Sequence, residues 1–109
     1  MKIWIMDKKS IGMVFTREEY AIIEKAAKKS ALLIRAWCRL RLDMAEAEDK
    51  KDLDKPFPPY ERTIEKPFTV MVNEDDWDGY RFVAHSLGVS LARWARTRLV
   101  EIARTEVAS

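Results

Sequence analysis

Among 109 residues the chain has one cysteine, Cys38, and one histidine, His85. A disulfide framework is excluded, and a closed Cys/His zinc site, which usually takes four such ligands, lacks its donors. Glycine and proline are scarce, with three and four residues, which argues against collagen-like or low-complexity sequence. The longest apolar runs, such as residues 31–34, fall far short of the roughly 20 residues of a membrane span. No apolar segment of signal-peptide length follows Lys2. The expectations are therefore no membrane partner and a reducing, cytoplasmic setting. Net charge is low as well. The 20 Lys and Arg stand against 18 Asp and Glu and leave +2, too small a sum to mark a nucleic-acid binder.

Catalytic constellations are also missing. There is no Ser/His/Asp set and no Gly-rich phosphate loop, so neither an enzyme nor a cofactor is expected. The acids Glu74, Asp75, Asp76 and Asp78 fall on the first turns of one predicted helix. They point around it rather than at one centre and favour the helix N-terminus; no metal is expected.

The composition, 48% hydrophobic and 35% charged with four tryptophans, is that of a folded, helix-rich chain. The length fits one small domain over 1–109, because separate halves would bury too little surface. Sliding the sequence on itself by 57 positions brings Trp37, Arg39, Arg41 and Leu42 onto Trp94, Arg96, Arg98 and Leu99, and Ala27 onto Ala84. Similar pairs extend the register: Glu18, Glu19 and Tyr20 fall on Asp75, Asp76 and Trp77. The chain thus reads as a first repeat over 11–48, an acidic, proline-containing linker over 49–66 and a second repeat over 67–104.

Each repeat opens with a short apolar run, 11–15 or 68–72, suited to a strand and followed by a helix-start signal. Thr16 with Glu19 makes a capping box, and Asn73 precedes three carboxylates. The first helices are expected to end near Lys29 and Leu87. Ser30 and Ser90 can cap second helices that end near Glu48 and Arg104. At helical spacing, Ile34, Cys38, Leu42 and Ala45 share an arc that matches Leu91, Ala95, Leu99 and Ile102. Residues 2–6 read as a further short strand.

A short strand followed by two helices, with Gly88-Val89-Ser90 as the turn between them, resembles the ribbon-helix-helix family of DNA-binding proteins. Tandem members are similar to accessory proteins of plasmid transfer origins. Single-copy members are transcriptional repressors or antitoxins. The resemblance implies a mainly helical fold with a short antiparallel β ribbon, both repeats forming an intramolecular pseudo-dimer. The first repeat departs from the pattern by carrying Ala31 where the second has Gly88.

The resemblance also implies duplex DNA as partner, with the ribbon in the major groove and a role as repressor or as accessory factor of a plasmid or phage nucleoprotein complex. Alternation turns Gly12, Val14, Thr16, Thr69, Met71 and Asn73 outward, toward the bases. Phosphate contacts are expected where the second helices begin, from Lys28, Lys29 and Ser30 in one repeat and His85, Ser86 and Ser90 in the other. Arg35, Arg39, Arg93 and Arg96 supply a basic surface. Arg41 and Arg98 can each lie on the indole one turn before, Trp37 or Trp94. The family's usual readers of purine edges are Arg, Lys, Asn or Gln, whereas this ribbon offers only Thr69, with Thr16 and Asn73, and methyl contacts from Val14 and Met71. A second reading follows, in which the same fold is a protein-interaction module or inhibitor from a mobile element. The assembly is a monomeric pseudo-dimer or a homodimer of pseudo-dimers, with the Trp37 and Trp94 faces as one route to pairing.

Overall fold

Apolar residues alternate along two extended segments, and the fold turns that alternation into one buried face. The computed structural model describes residues 8–59 and 65–109, so the strand expected at 2–6 lies outside the described residues. Strands β1 (Lys8–Phe15) and β2 (Lys66–Asn73) pair antiparallel, with Gly12 opposite Thr69 and Ile11 opposite Val70. Ile11, Met13, Phe15, Phe68, Val70 and Val72 are all buried. Both strands begin earlier than the apolar runs do. Lys8, Lys9 and Ser10 have little strand propensity, but pairing with Asn73, Val72 and Met71 satisfies their backbone groups.

Each strand leads into two helices: α1 (Arg17–Lys29) and α2 (Ile34–Asp49) after β1, then α3 (Glu74–Ser86) and α4 (Leu91–Ala108) after β2. Among the described residues the architecture is mostly helical with a two-stranded antiparallel sheet. Thr16 and Glu19 form the full capping box at α1. Asn73 is the N-cap of α3 without a side-chain bond, so the carboxylates of that first turn carry the stabilisation there.

The two turns between helices share one backbone. After α1, Ala31 and Leu32 donate to the carbonyls of Lys28 and Ala27; after α3, Gly88 and Val89 donate to those of His85 and Ala84. Both are Schellman closures, which need a left-handed residue. Gly88 supplies it at φ 81° and Ala31 at φ 57°, where a Cβ costs energy. The helices that follow start differently. Ser90 caps α4, accepting from the Arg93 amide. Ser30 does not cap α2 as expected: the Schellman turn consumes it as the C-cap of α1, and Leu33 takes the N-cap position with no side chain able to accept.

The core gathers the inner face of the sheet and all four helices. Cys38, Leu42, Ala45, Ala95 and Leu99 are buried, with Ile34, Leu91 and Ile102 packed at its edge. Burial pushes the Cys38 thiol up to about 12, against the opposing pull of Arg35 and Arg39. Trp37 and Trp94 are fully buried, which removes them as a surface through which two chains could pair.

Their indoles are held by carboxylates from the far end of the opposite helix. Trp94 Nε1 and Arg98 Nε donate to Asp49 Oδ2 at 2.7 and 2.8 Å. Trp37 Nε1 and Arg41 Nε donate to the two carboxylate oxygens of Glu106 at 2.9 and 2.6 Å. Asp49 and Glu106 stand at the same sequence offset as the two tryptophans and the two arginines. Arg41 also lies 5.5 Å from the Trp37 ring centroid. Arg98 does not stack on Trp94 as expected; it turns to Phe57 of the linker at 4.5 Å, because that ring is brought over α4.

Asp49 is 2% exposed and also pairs with Lys55 at 2.5 Å. Burial pushes its carboxyl up, but hydrogen bonds from Arg98, Lys55 and Trp94 outweigh this and hold it below the ordinary carboxylate range. A depressed folded-state pKa gives stability that is complete above the unfolded value and is lost as pH falls through the folded one.

Two outcomes follow. Ala31→Gly raises unfolding free energy by about 1 kcal/mol in urea titration, since the left-handed cost disappears. Asp49→Asn lowers it by about 3 kcal/mol at neutral pH, because Arg98 loses its buried counter-charge. The gap between wild type and Asp49→Asn is full at neutral pH and narrows on acidification below about pH 4.

Candidate nucleic-acid interface

The outer face of the ribbon is set by the strand register. Lys8, Ser10, Gly12 and Val14 of β1 lie opposite Asn73, Met71, Thr69 and Pro67 of β2. Gly12, Thr69, Met71 and Asn73 are exposed, and Val14 is half-buried. Thr16 sits past the strand end with its hydroxyl committed to the α1 cap. Lys8, Ser10 and Pro67 complete this face and were missed by pattern reading, because Lys-Lys-Ser and Lys-Pro carry no apolar alternation.

Gly12 occupies the middle of this face. A Cβ built there meets no atom within 4 Å, and its backbone does not need a glycine. The fold therefore gives no reason for the missing side chain at a position where glycine weakens a strand.

Beside Gly12 and Val14 opens a cleft of about 340 Å³, closed on its other side by Gly88, Val89, Ser90, Ala92, Arg93 and Arg96 of the α3–α4 turn and α4. The first-turn amides of α4 lie at this end. Such amides have no intrahelical acceptor and carry the positive end of the helix dipole. Ser90, expected at a phosphate, lines the cleft. Arg93 donates to the Pro58 carbonyl at 2.7 Å and lies over Phe57. Arg96 makes a two-oxygen pair with Glu19 at 3.0 to 3.2 Å, so its charge is balanced in place.

On the other flank, Arg35 of α2 ties the helix to the ribbon, donating to the Thr69 carbonyl at 3.0 Å and covering the Phe68 ring at 4.5 Å. Arg39 is exposed further along α2. Lys28 is exposed and lines a hollow with Leu32, Leu33 and Ile34. Lys29 turns away from this flank, and its ammonium bonds the Glu106 and Ser109 carbonyls at 2.7 and 2.6 Å, capping the end of α4. Ser30 accepts from Arg41 at 3.2 Å. His85 and Ser86 line a different hollow with Asp78, Arg81 and Phe82, where Ser86 donates back to the Phe82 carbonyl. Of the six residues expected at phosphates, Ser90 alone lines the cleft beside the ribbon.

Among the described residues no three His, Cys, Asp or Glu side chains gather as a metal site, and no helix is long and apolar enough to cross a membrane. No family model, curated protein or solved structure matches the chain.

Gly12→Ala is expected to raise stability by about 0.5 to 1 kcal/mol in urea titration, since strand entropy improves and nothing is displaced.

Proposed function

We propose that the chain is a single-chain ribbon-helix-helix protein, its two strand-helix-helix repeats forming an intramolecular pseudo-dimer that binds duplex DNA. The observation that carries this reading is the exposed outer face of the two-stranded ribbon beside the cleft at the α4 N-terminus. A ribbon with strands about 4.8 Å apart fits a major groove about 12 Å wide. The bare backbone at Gly12 lets a base edge or sugar approach closely, and the α4 amides with Ser90 suit a phosphate. The recurrent Schellman turns and Trp-Arg-carboxylate clamps support the pseudo-dimer part.

Thr69 and Asn73 offer hydrogen bonds to bases, and Val14 and Met71 offer methyl contacts. With unlike residues on its two halves, the ribbon favours an asymmetric site over a palindrome. Repression or assembly of a plasmid or phage nucleoprotein complex is the role this implies. One observation favours a second reading, a protein partner: the outer face carries Met71 at 44% exposure and no arginine or glutamine.

The test is anisotropy of a fluorescent random-sequence duplex. Affinity is expected to fall roughly 100-fold between about 50 and 200 mM salt if about four phosphates are contacted. Thr69→Asp/Met71→Asp abolishes binding without unfolding the protein, since both side chains face solvent. Lys28→Glu, at an exposed lysine, weakens it; Lys29 is unsuitable because it holds the end of α4. No binding at low salt, or binding unaffected by the ribbon variant, overturns the DNA reading in favour of a protein partner.

A further inference from the structure

Helix α2 carries an apolar stripe that the described residues leave uncovered. Leu33, Leu40 and Met44 are 82%, 48% and 52% exposed, and Ala36 and Ala47 stand between and beyond them on the same side. Steps of three and four residues keep all five within an arc of roughly 80°. This is the rhythm of a helix seam that packs on another helix.

The fold does not require an apolar stripe here. The corresponding positions of α4 are Ser90, Arg93, Thr97, Glu101 and Arg104. There the linker lies close: Pro58 accepts from Arg93, and Pro58 and Pro59 share a hollow with Thr97, Glu101 and Arg104. One helix thus has a polar outer face partly covered by the linker, while the other has an apolar face without such cover among the described residues.

Charge along α2 selects the occupant. From Ile34 to Arg41 the helix carries Arg35, Arg39 and Arg41 and no acid; from Leu42 to Asp49 it carries Asp43, Glu46, Glu48 and Asp49 and no base. Arg39 and Asp43, one turn apart and both exposed, share a flank of the stripe. A parallel copy would set like charges side by side. An antiparallel copy sets Arg39 against the Asp43 carboxylate of the second chain, one oxygen of which accepts from Tyr80 within its own chain; Arg35, Arg41 and Asp49 are engaged by the ribbon, Glu106 and Arg98 and stay out of this contact.

We propose that α2 packs antiparallel against α2 of a second copy of this chain, through Leu33, Ala36, Leu40, Met44 and Ala47 about a two-fold axis near Leu40. Such an interface is isologous and closes on itself. Because Arg35 ties the start of α2 to β2, the two ribbons fall at opposite ends of the helix pair. The pairing does not depend on what the ribbon binds.

Sedimentation velocity of the full chain up to concentrations on the order of 100 μM tests this, covering the range of a weak interface. A monomer–dimer equilibrium is expected, weakened at least tenfold by Leu40→Glu with the circular dichroism spectrum unchanged. Disulfide trapping fixes the direction. Leu40→Cys cross-links to its own copy under mild oxidation. Leu33→Cys alone does not, yet a mixture of Leu33→Cys and Ala47→Cys does, because a disulfide needs Cα atoms within about 7 Å. Cys38 is buried and stays out of this chemistry. A monomer at every concentration, a dimer indifferent to Leu40→Glu, or Leu33→Cys cross-linking to itself overturns the proposal.

Discussion

The pairing of β1 with β2 is the constraint on which the rest of the molecule depends. Each strand has the other as its neighbour, and the two lie more than fifty residues apart in the chain. A two-stranded ribbon is marginal alone, so its stability comes from the six apolar side chains it presents to the helices. The register is correspondingly strict. A slip of one residue would turn Ile11, Met13 and Phe15 to solvent and bring Gly12 and Val14 inward. The outer face that could meet a ligand is therefore a by-product of what the core demands.

The helices are oriented by a second device, the two carboxylates that cross between α2 and α4. Buried ion pairs repay their desolvation only when geometry and further hydrogen bonds are good, and here each carboxylate takes both an indole N–H and a guanidinium. Any shift of α2 along α4 would strip the buried Asp49 and the part-buried Glu106 of these donors, which is costly. Asp49 adds Lys55 to its partners and so pins the start of the linker.

Within this frame the two halves diverge in their surfaces. The α4 side has a capped helix start, a cleft against the ribbon and a polar outer face near the linker. The α2 side has an uncapped start at Leu33, an arginine laid on the ribbon, and an exposed apolar stripe. The two inter-helix turns share one hydrogen-bond pattern, while the side chains on the flanks around them differ. Ala31, at φ 57°, forms the same turn that Gly88 forms at φ 81°, but with a Cβ that makes the left-handed conformation costly.

The sequence by itself determined the local elements: inward alternation on both strands, the capping box at Thr16, the cap at Ser90, the core arcs of the second helices and Cys38 within them. These rest on interactions between near neighbours or on periodicity, which a single chain displays directly. It also displayed the apolar outer positions of the ribbon. Only the tertiary structure decided the fate of the charged residues. Lys29 reaches the end of α4, Arg96 finds Glu19, Arg93 and Arg98 turn to the linker, and Asp49 becomes a buried anchor where composition reads an acidic linker. Long, flexible charged side chains take whichever counter-charge or carbonyl the packing brings near, and that partner lies tens of residues away.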